Sequence, residues 1–244
     1  MSADRWTQAV RHQLGLGRLV PLGGPRDGCW MAESAARSAL RQAVQSVHGV
    51  RLGSLRVELA DPDASYESAV PAPPSALPPG PLRIVAECAA APDEPLPTAA
   101  SRLRAALNGA ASDGLGLAVA EVDLRVTALL DDGQEAETAS GDAESDIADG
   151  GRVKADSDEE RAGQAALSVP GVARLTGSLG GLGRAVHIGE RPEGAATLPR
   201  RHVRIELAVS GGRRVLDVAR DVRTAVTEAL ADDPSVAVLV TAVS

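Results

Sequence analysis

VRIELAV (203 to 209), the helical stretch from Arg213 to Ala231 and SVAVLVTAV (235 to 243) decide the fold, because the same succession occurs once before, between Leu82 and Leu129. LRIVAE (82 to 87) answers VRIELA (203 to 208), ASRLRAAL (100 to 107) answers ARDVRTAV (219 to 226), and VDLRVTAL (122 to 129) answers VAVLVTAV (236 to 243). The spacings are 121, 119 and 114 residues, shrinking as loops shorten. A third pair precedes each copy, SVHGVRL at 46 to 52 and SVPGVARL at 168 to 175. The expectation is an α+β protein of two repeated α-β-β-α-β modules, each a three-stranded sheet with helices on one face.

Working outward, residues 1 to 29 predict an N-terminal helix and turn. Trp6, Val10 and Leu14 recur every four residues, and Gly23, Gly24 and Pro25 end the pattern, with Asp27 as the cap of the next helix. The first module spans 30 to 130. Its first helix runs from Trp30 to Val47, with Ala36, Ala39, Leu40, Ala43 and Val44 on one stripe, and Gly49 stops it. Alternation of Leu55, Val57 and Leu59 with Arg56 and Glu58 predicts a strand with one wet face. The seven prolines of 61 to 81 exclude regular structure and predict a polyproline-like hairpin insertion. Both later helices carry the i, i+3, i+4, i+7 pattern, as Leu96, Ala99, Leu103, Ala106, Leu107 and as Val215, Val218, Ala219, Val222, Val226.

The net charge of −8 is local in origin. Residues 131 to 160 hold twelve of the 33 acidic residues against Arg152 and Lys154, which leaves about +2 on the remainder. That composition predicts a disordered acidic linker over 131 to 159, with the second module at 160 to 244. With no Phe and only Trp6, Trp30 and Tyr66 aromatic, the core must be aliphatic and thin. Lys154 is the one lysine among 25 basic residues, a bias that points to a GC-rich, actinobacterial coding sequence. Cys29 and Cys88 lack metal or redox spacing and read as buried thiols in a reducing cytoplasm. No stretch has the roughly 18 apolar residues that a spanning helix needs, and the first residues carry no apolar leader core. Cytoplasmic localisation follows.

No catalytic, cofactor or metal constellation emerges. GSLGGLG (177 to 183) has phosphate-loop spacing but is followed by LGRAVHIGERPEG, barely two helical turns before glycine and proline recur, and no Gly-Lys-Ser/Thr follows. Its GGLG suggests the loop of KH domains, which makes a KH-like nucleic-acid-binding module the competing reading, although base-stacking aromatics are missing. His12, His48, His187 and His202 share no helix face with other ligands. The candidate interface residues are the arginine pairs Arg200, Arg201 and Arg213, Arg214, which flank one strand, and Ala237, Leu239 and Val243. Asp123 and Arg125 of the first copy align with Ala237 and Leu239, so the last strand is apolar on both faces and must be covered on both, by the first copy, the N-terminal helix or another chain.

AALSVPGVARLTGSLGG, VRIELAV, VLDVARDVRTAVTEAL and VAVLVTAV together resemble the alkaline shock protein or envelope stress response family of Gram-positive bacteria, over about 160 to 244, with 33 to 130 similar to a divergent second version. The resemblance implies a non-enzymatic scaffold or protein-interaction protein without cofactors. Its partner would be a membrane-anchored relative or a second copy of itself, placing it at the inner face of the membrane. SerGlyGly at 210 to 212 stands where that family has a tyrosine-glycine turn.

Overall fold

The computed structural model describes residues 16–130, 157–178, 184–191 and 200–244. It is an α+β fold with two mixed sheets. The elements in order are β1 (Leu19–Leu22), β2 (Cys29–Ala32), α1 (Glu33–Val44), β3 (Val50–Leu59), β4 (Leu82–Ala90), α2 (Leu96–Gly109), β5 (Val119–Leu129), α3 (Asp158–Leu167), β6 (Val172–Leu175), β7 (Val186–Arg191), β8 (Arg200–Val209), α4 (Val215–Ala229) and β9 (Ser235–Val243).

The smaller sheet has the order β3-β4-β5, with β3 antiparallel and β5 parallel to the central β4. A parallel partner needs a crossover, which α2 supplies. Leu82, Ile84, Ala86 and Cys88 of β4 are buried beneath the helices, while Arg83 on the other face bonds Glu58 at 2.7 Å. The larger sheet has the order β1-β2-β9-β8-β6, and β7 also pairs with β8. β6 takes the Leu207 to Val209 end of β8 and β7 takes the Arg200 to Ile205 end, so the two short strands share one edge. α4 crosses over from β8 to the parallel β9.

Several expectations fail at the N-terminal side. Trp30 is not helical. It lies in β2, which pairs in parallel with β9 at Cys29↔Val238, Trp30↔Leu239 and Met31↔Val240, and the helix begins only at Glu33. Leu19–Leu22 is a strand antiparallel to β2, and the rest of the expected N-terminal helix, residues 1–15, lies outside the described residues. Asp27 caps no helix. It holds the tight β1–β2 turn, its Oδ2 accepting from the Gly24 amide at 2.7 Å. The physical reason is Gly28. At φ +60 its backbone passes the Val70 side chain and the Val236 carbonyl, steering the next residues into a strand beside β9.

The second sheet is therefore larger than the three strands expected, and it takes in a hairpin, Leu19–Ala32, where a helix and turn over 1–29 and the start of the next helix are expected. LGRAVHIGERPEG contains a strand, not the two helical turns its spacing suggests, because Val186, Ile188 and their neighbours pair along β8. The proline-rich insertion is anchored. Leu77 donates to Leu19 O at 2.8 Å, Leu19 to Ser75 O at 3.1 Å and Trp30 Nε1 to Leu77 O at 3.4 Å. α3 begins at Asp158, capped by the Ser157 hydroxyl, inside the span read as linker; the segment 131–156 and the glycines 179–183 lie outside the described residues.

One continuous apolar core runs through both sheets instead of two separated by a tether. α1 is its keystone, packing on β2 and β9 of the larger sheet and on β3 and α2 of the smaller one. A second seam joins α4 to a π-type turn, Ala110–Leu115: Arg214 Nε donates to Ser112 O at 3.1 Å, and a Cβ on Gly116 (φ +88) would lie 2.3 Å from that of Leu216.

The β1–β2 turn is clamped to α4. Arg220 Nε bonds Asp27 Oδ1 at 2.8 Å, and Arg223 Nη1 bonds the carbonyls of Arg26 at 2.6 Å and Asp27 at 3.0 Å. Burial alone raises the Asp27 carboxyl, but hydrogen bonds from Arg220 and the Gly24 amide, with the charges of Arg220 and Arg223, outweigh it and hold its pKa below the ordinary carboxylate value. A depressed folded pKa contributes stability that is complete above the unfolded value, about 3.9, and is lost as pH falls through the folded value. We predict that Asp27→Asn lowers stability at pH 7 by about 1 kcal/mol. The gap from the unsubstituted chain, read by urea unfolding, should narrow as pH drops below about 4.

Candidate interaction surface

The residues proposed from sequence as an interface fall into two groups. Ala237 and Leu239 are wholly buried within this one chain. Leu239 stands between Trp30 on β2 and Glu206 on β8, and both α1 and α4 pack on β9. The cover for the apolar outer face is thus an element of the chain's own first half. Val243, opposite Val209 near the strand end, is half-buried.

The arginine pairs do not form one patch, since β8 separates them by its whole length. Arg200 pairs with Arg191 in the β7–β8 ladder. Arg201 bonds Asp158 and lies 3.9 Å from Asp232. Arg213 bonds Pro170 O at 2.6 Å and Asp221 at 2.8 Å, and Arg214 holds the Ser112 carbonyl. Three of the four are therefore spent on closing loops of the fold.

Of the histidines, His12 lies outside the described residues, and the carbonyl of His48 accepts from Arg102 at 2.8 Å. His202 Nδ1 meets Ser235 Oγ at 2.9 Å. Burial, aided by the positive charge of Arg204, lowers the pKa of His187, which keeps it neutral at pH 7. Among the described residues no three His, Cys, Asp or Glu side chains converge as a metal set would.

Two features escaped the sequence reading. Glu206, in a strand that reads as simple alternation, is fully buried, with Arg204 Nε at 4.0 Å, close to the buried hydroxyl pair Thr176–Thr241 at 2.7 Å. A cleft of about 440 Å³ between α1 and β3 is lined by Arg18, Glu33, Arg37, Arg56 and Glu58. Arg18 bridges it, donating to Val57 O at 3.1 Å and facing Glu33 at 3.6 Å. Three guanidinium groups against two carboxylates suit an anionic group there, not a metal ion. Neither feature has a sequence signal, because each joins residues of unrelated segments.

The surface left open is the β5 margin of the smaller sheet. β5 is exposed along most of its length, in contrast to β9, its counterpart in strand order and pairing. Val126 is 37% exposed and Leu129 58%, and Leu96 at the start of α2 stands beside Val126 in a shallow apolar groove with Val50 and Ala90. The outward face of the same strand carries Glu121, Asp123 and Arg125, with Arg83 at 3.8 Å from Asp123.

Against known proteins, no family model, no curated protein and no solved structure matches this chain.

Two expected outcomes follow from the burial pattern. Leu239→Ala should cost about 2 to 5 kcal/mol of stability in urea unfolding, and Val243→Ala much less, because a cavity opens only at the fully enclosed site. Leu239→Arg, by placing a charge there, should unfold the chain instead of separating its parts. Burial, reinforced by the Asp27 charge, pushes the Cys29 thiol up to about 12 against the pull of Arg223 and Arg220, and burial also raises Cys88. Iodoacetamide at pH 8 should therefore label neither cysteine in the folded chain and both in urea, as read by intact mass.

Proposed function

We propose that this chain is a non-catalytic scaffold that works by binding protein, built from two diverged copies of one helix–strand–strand–helix–strand unit. The order of parts supports the duplication. LRIVAE lies in the central β4 and VRIELA in the central β8; each is flanked by an antiparallel strand and, after a crossover helix, by a parallel one. In this reading β6 and β7 are the counterpart of β3, split by the glycine-rich insertion. The likeness to the alkaline shock and envelope stress response family supports the same assignment and, with it, a cytoplasmic protein held at the inner membrane face by a partner. Among the described residues no helix is long and apolar enough to cross a membrane.

The observation that carries the binding reading is the apolar rim of β5 and α2. Val126 and Leu96 line one shallow groove and Leu129 ends the same strand; among the described residues the other exposed large apolar side chains are Tyr66 and Leu167, outside this rim. Because Val126 and Leu129 are exposed, Val126→Asp with Leu129→Asp should leave the chain folded, as read by urea unfolding of both chains. We expect the unsubstituted chain, crosslinked in cells under envelope stress, to recover a membrane-anchored protein that the double variant fails to recover. Equal recovery by both chains would remove the rim from the binding surface.

A further inference from the structure

Among the described residues β5 is paired on one side only, to β4, and its other edge runs open for 11 residues. An open edge is a template for another strand, and folded chains ordinarily blunt it. β5 is blunted only in part, by bulges after Val119 and Val126 and by Arg104 on its Val122 carbonyl; three other margins are blunted or filled more fully. β1 carries Pro21 and is bonded by the segment around Ala76. β3 is broken by a bulge between Leu52 and Leu55, and Arg41 and Arg18 occupy its Gly53 and Val57 carbonyls. The edge of β9, at the position equivalent to β5, is filled by β2.

We propose that β5 is a self-docking edge, two copies of the chain pairing their β5 strands antiparallel about a two-fold axis at Leu124. This names the partner for the interaction surface described above and rests on that reading. β5 is in uninterrupted register from Glu121 to Val126, between bulges at its two ends, and that run contains the five residues Val122 to Val126 that pair about Leu124. In it Leu124 faces Leu124 of the second copy, Val122 faces Val126, and Asp123 faces Arg125 on both sides of the axis. Centred on Asp123, the axis sets Asp123 against Asp123 while Arg125 meets Glu121, and centred on Arg125 it sets Arg125 against Arg125, so only the Leu124 register has unlike pairs and no like pair. Directly opposed unlike charges stabilise a strand pair and like charges destabilise it, so the charge pattern selects the Leu124 register.

Backbone geometry agrees. The Val122 carbonyl accepts from Arg104 Nε at 3.1 Å, so it is directed off the sheet edge. In a parallel strand alternate residues point both amide and carbonyl to the same side, so Leu124 and Val126 present theirs outward too. Leu124 opposite Leu124 and Val122 opposite Val126 are then the hydrogen-bonded pairs. Asp123 and Arg125 are the non-bonded pairs, in which side chains approach most closely. On the other face Val126, 37% exposed, gains an apolar neighbour beside α2 of the second copy. The product is one six-stranded sheet with its helices on one face.

The test uses the full chain and two single variants, Asp123→Arg and Arg125→Asp, in sedimentation velocity over a concentration series at low salt. The unsubstituted chain should form a dimer. Each variant alone sets like charges opposite one another at both positions and should weaken the dimer about tenfold or more. Mixed in equal amounts, the two restore unlike pairs at both positions and should form a heterodimer, detected by native mass spectrometry. Mixing does not rescue a misfolded variant, so recovery separates pairing from damage. The proposal is overturned if the unsubstituted chain stays monomeric, if its dimer ignores both substitutions, or if mixing restores nothing. Protection of β5 amides from exchange in a monomer would also overturn it, because the edge would then be closed within one chain. A chain that stays monomeric yet captures a partner through Val126 and Leu129 keeps the interaction reading and loses self-pairing.

Discussion

The pairing of Cys29–Met31 with Val238–Val240 is the contact on which the rest of the architecture depends. It joins strands from opposite ends of the sequence, so its loop-closure entropy is met only when the segments between have folded. Once β2 lies beside β9, α1 has no freedom of position, because it starts at the residue after β2 and must cover the neighbouring strand. That placement brings β3 and α2 against the other side of α1 and makes one core out of two sheets. Arg220 and Arg223, a turn apart on α4, fix the β1–β2 turn from the opposite face.

The composition of that core explains how closely the layers approach. With no phenylalanine, the interior is built from valine, leucine, isoleucine and alanine around Trp30. Ala35 and Ala36 on α1 carry no side chain beyond Cβ, which lets the helix sit between two sheets without prising them apart. Gly116 serves the same end at the seam with Leu216, where no Cβ fits. Small side chains bury less apolar area each, so the fold gains its stability from many enclosed residues more than from a few large ones.

β5 and β9 show how one strand position takes opposite fates. Both are parallel partners of a central strand and follow a crossover helix. β9 has Ala237 and Leu239 on its outward face where β5 has Asp123 and Arg125, and its edge is filled by β2. Buried on both faces, β9 is core. Wet on one face and, among the described residues, open at its edge, β5 is surface, with Val126 and Leu129 exposed towards its end.

The sequence by itself determined the elements whose signal is local and periodic. Strands Val50–Leu59, Leu82–Ala90 and Ser235–Val243 and the helices from Leu96 and Val215 follow from alternation and from the 3.6-residue stripe. The two-sided apolarity of Ala237 and Leu239 was legible too, as a need for cover without the identity of the cover. Tertiary structure alone decided that identity. Trp30 sits in a run that helical spacing extends into, yet a glycine at φ +60 and an unpaired edge on β9 make it a strand. Glu206 in its buried polar set and the arginines around the α1–β3 cleft were illegible for the same reason. Each is defined by residues distant in sequence, whose meeting depends on which edges and faces remain unsatisfied after the local elements have formed.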